Sequence, residues 1–501
     1  MLRKTRIIVA SVFFFLITLL LLDFTGALHG WLGWMARIQL LPAVLALNVA
    51  VIIGLVLLTL LFGRVYCSVI CPLGVFQDLI SWISGRRKGK KNRFGFRKER
   101  KWLRYGMLVL FIVLMVAGLN AIAALIAPYS AYGRIVTNLF APLYGWGNNL
   151  LAAISAHFGS YAFYPVEVYV KSLPVFIVAV VTFIIIVVLA WRGGRTWCNT
   201  ICPVGTVLGL LSRFSLLRPV IDTDKCVNCS LCGKRCKASC IDTKNHKIDY
   251  SRCVACFDCI DNCNSGAIKY KFAGCGSGRK DEMPGQAGHD NKGQAGRRAF
   301  LAGMAFVAGA ATLDAKKKKL AEGVAALEDK TVPQREIVPV PAGAVSRKNF
   351  YSHCTACQLC VSKCPNGVLR PSTRLSTLMQ PEMGFENGFC RIECTRCSEV
   401  CPTGAIRLVE SAADKSAIQI GHAVVIPENC VVRRDGVSCG SCARHCPVGA
   451  ITMVALAENE KLRVPAVNPA RCIGCGACEF HCPARPVSAI YVEGHEVHKE
   501  R

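Results

Sequence analysis

Twenty-four of the 30 cysteines fall into six runs of four, at spacings that suit thiolate ligands to metal. Four runs share the pattern C-x2-C-x2-C-x3-C: Cys226, Cys229, Cys232 and Cys236; Cys253, Cys256, Cys259 and Cys263; Cys354, Cys357, Cys360 and Cys364; and Cys472, Cys475, Cys478 and Cys482. That spacing is a ligand run for [4Fe–4S] clusters. Two runs are irregular: Cys390, Cys394, Cys397 and Cys401, and Cys430, Cys439, Cys442 and Cys446. The chemistry implied is electron transfer, with about six [4Fe–4S] clusters and roughly 24 iron atoms if every run is filled. Structural zinc is the competing reading, and the third cysteine of each short run weighs against it. Four further thiols, Cys67, Cys71, Cys198 and Cys202, form two C-x3-C pairs, each on one face if helical. They read as a metal or cluster site or a redox-active dithiol set, against a bland role in tight core packing. No C-x-x-C-H occurs, so covalent c-type haem is not expected.

In two-cluster proteins the fourth cysteine of each run ligates the other cluster. This predicts Cys226, Cys229 and Cys232 with Cys263, and Cys253, Cys256 and Cys259 with Cys236. Neither Cys236 nor Cys263 is followed by proline, Cys240 is a rival ligand, and Cys275 is left over. The four later runs all end in Cys-Pro. Like spacing suggests nested pairing there: Cys354, Cys357 and Cys360 with Cys482; Cys472, Cys475 and Cys478 with Cys364; Cys390, Cys394 and Cys397 with Cys446; Cys430, Cys439 and Cys442 with Cys401. Sequential pairing is the alternative. Gly404-Ala405-Ile406 and Gly449-Ala450-Ile451 are expected to open short strands leaving the clusters. His353, His445 and His481 adjoin cluster cysteines, and a full set of thiolates leaves them beside the iron rather than on it.

The elements that must carry these thiols include a membrane part. The chain of 501 residues is 52% hydrophobic, and its mean hydropathy of +0.38 suits membrane helices joined to soluble modules. Four apolar stretches, 7–22, 40–62, 107–127 and 175–191, are long enough to span a bilayer. Arg3, Lys4 and Arg6 precede the first, and 11 Lys/Arg crowd residues 86–104 between the second and third. This asymmetry places both ends of a four-span bundle inside. It also reads the net charge of +28 as topology rather than nucleic-acid binding. The segment from Gly63-Arg64 to Cys71-Pro72 recurs from Gly194-Arg195 to Cys202-Pro203, at a constant offset of 131 residues. Both copies end a span in the same direction, so they read as parallel repeats about the membrane normal.

The expected organisation is a transmembrane domain over 1–220 with the two C-x3-C-P motifs, then a two-cluster domain over 221–273. A Gly-rich linker over 274–298 follows, carrying a twin-arginine-like pair, Arg297-Arg298, before a short apolar segment over 299–313. A four-cluster domain occupies 345–495. The pair reads as an export address for a folded domain; the alternative is a short fifth span. The fold class expected is membrane α-helical plus α+β ferredoxin-like domains.

The first 275 residues resemble the NapH/MauN type of membrane ferredoxin, on the two G-R-x-[YW]-C-x3-C-P-[LV]-G motifs and the two-cluster tail. Residues 297–501 resemble the NapG/MauM type, on the leader and four cysteine runs. The chain thus looks like a natural fusion of two subunits. The resemblance implies a quinol dehydrogenase of the bacterial inner membrane. Such a pair oxidises menaquinol or ubiquinol and passes electrons through a c-type cytochrome to a periplasmic reductase, typically nitrate reductase. It implies a multi-pass protein with its C-terminal domain in the periplasm. His29, Trp31, Trp34 and Arg37 lie at a membrane boundary and are candidates for the quinol site, with interface anchoring expected of the tryptophans. Two other readings remain: a metal-centre assembly factor of the CcoG type, which shares this membrane ferredoxin, or a subunit of a cytoplasm-facing redox complex.

Overall fold

The apolar stretch near the start folds into α1 (Leu2–Leu22), whose buried flank includes Ala10, Ile17, Leu20 and Leu21. The computed structural model describes residues 1–23, 26–87, 94–159, 163–166, 168, 172–272, 329–456 and 459–501. The expected linker, Arg297-Arg298, the 299–313 segment and Cys275 lie outside the described residues.

Two of the described helices, α1 and the one over Leu173–Gly193, are long and apolar enough to cross a membrane. The second and third expected spans are each divided. The former becomes α2 (Leu40–Leu45) and α3 (Val49–Phe62). Leu47 turns left-handed at φ 51°, and the Asn48 side chain caps α3 by accepting from the Val51 N–H at 3.3 Å. Alone, the 14 residues of α3 cover about 21 Å, short of a ~30 Å hydrocarbon core. After α4 (Pro72–Arg87), the third expected span becomes α5 (Lys101–Val116) and α6 (Asn120–Ile126), parted at Gly118 with φ 75°. Then come α7 (Pro128–Ile135), α8 (Ala141–His157), α9 (Leu173–Gly193), α10 (Thr196–Thr200) and α11 (Pro203–Leu211).

The two repeats end α3 and α9 with glycines in the left-handed region, Gly63 at φ 69° and Gly194 at φ 63°. Only a residue without Cβ does this at little cost. A Cβ on Gly194 would also sit 2.5 Å from the Lys237 carbonyl oxygen.

The first cysteine-rich unit is clasped by antiparallel β1 (Leu217–Ile221) and β2 (Ile268–Phe272). It therefore opens four residues before the expected boundary at 221. The second unit is larger than 345–495. A strap from 329 to 344 packs on it, with Val340 fully buried and Arg335 paired to Glu479. Its two longer sheets are antiparallel: β3 (Ile418–Val425) with β6 (Ile490–Glu500), and β4 (Ile451–Leu456) with β5 (Asn459–Val467). A strand does leave Gly449-Ala450 as β4. None leaves Gly404-Ala405, where the Arg407 N–H instead bonds the Gly343 carbonyl of the strap at 2.9 Å.

The two units sit at opposite ends of α1. Near its start, Arg3 pairs with Asp258 at 2.8 Å and Asp261 at 2.6 Å in the first unit. Just beyond its end, Asp23 pairs with Lys363 of the second unit at 2.8 Å. The 21 residues of α1 span about 30 Å.

Candidate metal centres

In the four regular runs the residue on each side of the second cysteine turns left-handed. These are Asn228 and Ser230, Ala255 and Phe257, Ala356 and Gln358, and Gly474 and Gly476, with φ between 48° and 79°. Six of the eight carry a Cβ, so the fold imposes a conformation such residues rarely adopt. The result is a loop curled around a hollow, with three cysteines on its rim. Between the cysteines of the irregular runs the only left-handed residue is Gly436.

Each of three hollows is lined by cysteines from two runs. Cys226, Cys229 and Cys232 share one with Cys263. Cys253, Cys256 and Cys259 share another with Cys236, and with Cys240 as a fifth thiol. These are the crossed sets read from spacing. Cys236 and Cys240 lie 3.5 Å apart. Either thiol of this pair can donate to the other, so Cys240 stands beside Cys236 as a rival ligand. Where the later runs have proline, Lys237 stands. Its ammonium bridges Asp78 at 3.6 Å and Asp258 at 3.2 Å.

In the second unit the thiols gather with those of the neighbouring run, unlike the nested sets expected from spacing. Cys390, Cys394 and Cys397 line a hollow with Cys364, not Cys446. Cys354 and Cys360 share a buried cluster with Cys401, which also lies within electrostatic reach of Cys357. Cys472 and Cys475 are likewise within reach of Cys446, and Cys442 of Cys482, with Cys430 in the same core. These groupings set run 354–364 beside 390–401 and run 430–446 beside 472–482, the sequential alternative. Neighbouring runs close shorter loops, and closure entropy grows with loop length.

All described cysteines are free thiols. Among the described residues no three His, Cys, Asp or Glu converge on a point suited to one ion. Sulfurs standing around a hollow fit a four-iron cube rather than a single zinc.

Cys67, Cys71, Cys198 and Cys202 are buried between α3, α4, α9 and α11 and lie within electrostatic reach of one another. The repeats clasp across a pseudo-twofold. Arg64 Nη2 donates to the Cys198 carbonyl at 3.2 Å, and Arg195 Nη1 to the Cys67 carbonyl at 2.6 Å. Close approach demands Gly74 and Gly205, since a Cβ on either would lie 2.2 Å from those same carbonyl oxygens. The sulfurs receive donors: Arg64 to Cys67 at 3.7 Å, Gln77 Nε2 to Cys198 at 3.3 Å, and the Gly205 N–H to Cys202 at 3.3 Å. Arg195 is neutralised by Asp78, at 2.8–2.9 Å to both carboxylate oxygens. Arg64 has neutral partners instead, Asn199 Oδ1 at 2.8 Å and the Ser251 carbonyl at 3.1 Å. Asp78 escaped the sequence reading, although it is the single acid between Asp23 and Glu99.

His29 feels the charges of Lys363 and Arg37, and Arg37 bonds the Glu399 carbonyl at 3.5 Å, so this segment faces the second unit. Trp31 and Trp34 are exposed. His445 and His481 stack with ring centroids 3.7 Å apart, and His353 Nδ1 lies 2.9 Å from the Asn349 carbonyl.

Three family models match the chain: a 4Fe-4S binding domain over residues 44–91 and 175–221, and 4Fe-4S dicluster domains over 353–410 and 437–485. The first covers both C-x3-C motifs, one dicluster match takes in runs 354–364 and 390–401, and the other takes in run 472–482 with Cys439, Cys442 and Cys446 but not Cys430. The chain is 29% identical over 194 residues to the methylamine utilization ferredoxin-type protein MauN of Paracoccus denitrificans, covering 38% of this chain and 54% of that protein. It is 30% identical over 200 residues to the ferredoxin-type protein NapH of Haemophilus influenzae, covering 39% and 55%. With the methylamine utilization ferredoxin-type protein MauM of Methylobacillus flagellatus it shares 32% over 162 residues, covering 30% and 66%. The chain thus spans about half the length of the MauN and NapH relatives. No solved structure matches it. Ferredoxin-type 4Fe–4S domains are present, and the chain is similar to the NapH, MauN and MauM ferredoxin-type proteins.

Proposed function

We propose that this chain is a membrane-bound electron carrier that oxidises menaquinol or ubiquinol and feeds a periplasmic reductase of the nitrate-reductase type through a c-type cytochrome. It joins a NapH/MauN-like part and a NapG/MauM-like part in one chain. The observation that carries this reading is the docking of two cysteine-rich units at opposite ends of α1. On this reading α1, α2–α3, α5–α6 and α9 are four crossings of a bacterial inner membrane. The first unit then faces the cytoplasm and the second the periplasm.

The 24 cysteines of the six runs would hold six [4Fe–4S] clusters, which supply one-electron exchange. The chain tunes such sites through donors to sulfur. The N–H groups of Ala356, Ile406, Ala450 and Ala489 reach the sulfurs of Cys354, Cys401, Cys446 and Cys482 at 3.2–3.5 Å. One buried core runs from Cys256 in the first unit through Cys67, Cys71 and Cys202 to Cys357 in the second. Within it Phe14 and Phe76 flank Tyr132, with centroids 5.5 and 6.1 Å away. The thiol quartet, three of whose members belong to that core, is assigned to a metal or thiol-redox role.

The test is the position of the C-terminus. A tag at Arg501 of the full-length protein is expected to be protease-accessible in intact spheroplasts, with iron near 24 atoms per chain if all runs fill. A tag protected until lysis would put all six sites on one side and overturn the proposal.

A further inference from the structure

A cleft of about 1310 Å³ lies where the end of α1, the start of α8 and the second unit meet. Its apolar wall includes Leu21, Leu22, Pro142, Val361, Phe389 and Phe480. Leu21 and Leu22 end the apolar α1, so the cleft adjoins the part of the molecule read as membrane-bound. Cys364, of the Cys390, Cys394 and Cys397 set, also lines it. So does Gln358, which directly follows Cys357 of the neighbouring set.

Gln358 is 2% exposed, and its Nε2 has no hydrogen-bond partner. Its orientation is fixed by a short chain of bonds. The Arg134 carbonyl can only accept, and Asn138 Nδ2 donates to it at 2.9 Å. The same Nδ2 donates to Gln358 Oε1 at 2.9 Å, and Thr137 Oγ1 lies 3.1 Å from that oxygen. The carbonyl end is thereby committed, and the amide N–H donors remain for something in the cleft. Buried donors are seldom left unmade in folded proteins. The charged side chains on the wall are Arg391 and Arg396, with no carboxylate among the lining residues.

We propose that this cleft binds the ring of a quinol, with Gln358 Nε2 donating to a ring oxygen. This deepens the proposed function and rests on it. An apolar wall, a few converging donors and an adjoining metal-ligand set are what a membrane-soluble redox ring needs. In the step, two O–H bonds of the quinol break and the ring is oxidised to a quinone. Its two electrons need two one-electron acceptors, and the cysteine sets that include Cys364 and Cys357 would hold the iron–sulfur clusters able to take one each. Its two protons pass to water in the open cleft. Arg391 and Arg396 favour the anion formed by the first proton loss, and the quinone carbonyl keeps the hydrogen bond from Gln358.

The experiment uses the full chain in detergent, with decylubiquinol and menadiol as reductants and the matching quinones as ligands. Wild type is expected to bind one of the quinones and to bleach its visible iron–sulfur absorbance on adding the quinol. Gln358→Leu is expected to weaken quinone binding at least tenfold and slow quinol bleaching to match, while iron content and reduction by dithionite stay unchanged. If Gln358→Leu loses iron, Pro142→Trp, which fills the cleft from the start of α8, is expected to give the same loss of quinone binding with iron retained. Wild type left unreduced by both quinols would overturn the quinol reading as a whole. Wild type reduced, with the iron-retaining variant within twofold in binding and rate, would overturn the cleft alone. Binding unaffected by excess unlabelled quinone would mark a lipid or detergent pocket and do the same.

Discussion

The faces that hold the two units at either end of α1 differ in kind. The first is a charged lattice. Asp78 joins Arg6 at 2.7 Å, Arg195 at 2.8 Å and Lys237 at 3.6 Å, and Arg104 pairs with Glu99 at 2.7 Å while bonding the Ser251 hydroxyl and carbonyl at 3.0 Å each. Among the described residues the second face has one buried ion pair, Lys363 with Asp23, an exposed bond from Arg37 to the Glu399 carbonyl, and a set of neutral contacts. These are Asn120 to the Ser352 carbonyl, Gln358 with Thr137 and Asn138, and Gly133 against the Cys357 carbonyl. The first unit is thus tied into the helix core by its charges. The second rests on the helices, with a cleft left beside the contact.

The largest test of that difference is Asp78→Asn. It leaves Arg195, Arg6 and Lys237 facing an amide in a buried place, where breaking an ion pair costs about 3–5 kcal/mol. The expected outcome is a lowered thermal midpoint and early proteolysis of the first unit, read by mass spectrometry of the fragments. A loss below about 1 kcal/mol would reduce the lattice to ordinary surface pairing.

At the other face, Lys363→Met should cost less. Both partners are buried, but the Asp23 carboxylate also accepts from the backbone N–H groups of Gly26 and Leu28 at 3.1 Å each. It is not orphaned by the change, so the loss should be about 1.5–3 kcal/mol, that of one charge-assisted bond. Limited proteolysis should release the second unit sooner while leaving the first intact. Equal release of both would merge the two faces into one cooperative body.

The thiols of both units were legible because ligand spacing is local: a C-x2-C-x2-C loop is specified by its own nine or so atoms of backbone per step, wherever it sits. The partners of those loops were legible only in part. Crossing in the first unit follows from two runs with no others nearby, whereas in the second unit like spacing suggested nesting and carried no information on loop closure. Apolar length found α1 and α9 but was blind to the Asn48 cap and to Gly118, which divide the other two stretches. Asp78, Lys363 and Gln358 were illegible as a class. Their partners lie 117, 340 and 220 residues away, and nothing in their own neighbourhoods marks them.

Gly133→Ala sharpens the second face by shape. Its added Cβ would lie 2.6 Å from the Cys357 carbonyl oxygen, so the unit must shift outward. Overpacking of this kind costs about 1–3 kcal/mol. Hydrogen exchange should rise at Cys357 and Gln358 and stay unchanged around Cys256.

Arg3→Ala should have the smallest effect, although Arg3 makes two ion pairs with the first unit. Its side chain is 38% exposed and Asp261 is 40% exposed, so water and salt screen one of the two pairs. Asp258 keeps Lys237 at 3.2 Å after the change. The expected loss is about 0–1 kcal/mol, shrinking further as salt is raised, and measured as a difference in denaturation midpoint between low and high salt. A loss as large as that of Asp78→Asn would mean that the first unit is held from the end of α1 rather than through Asp78. The charged lattice would then be a consequence of docking and not its cause.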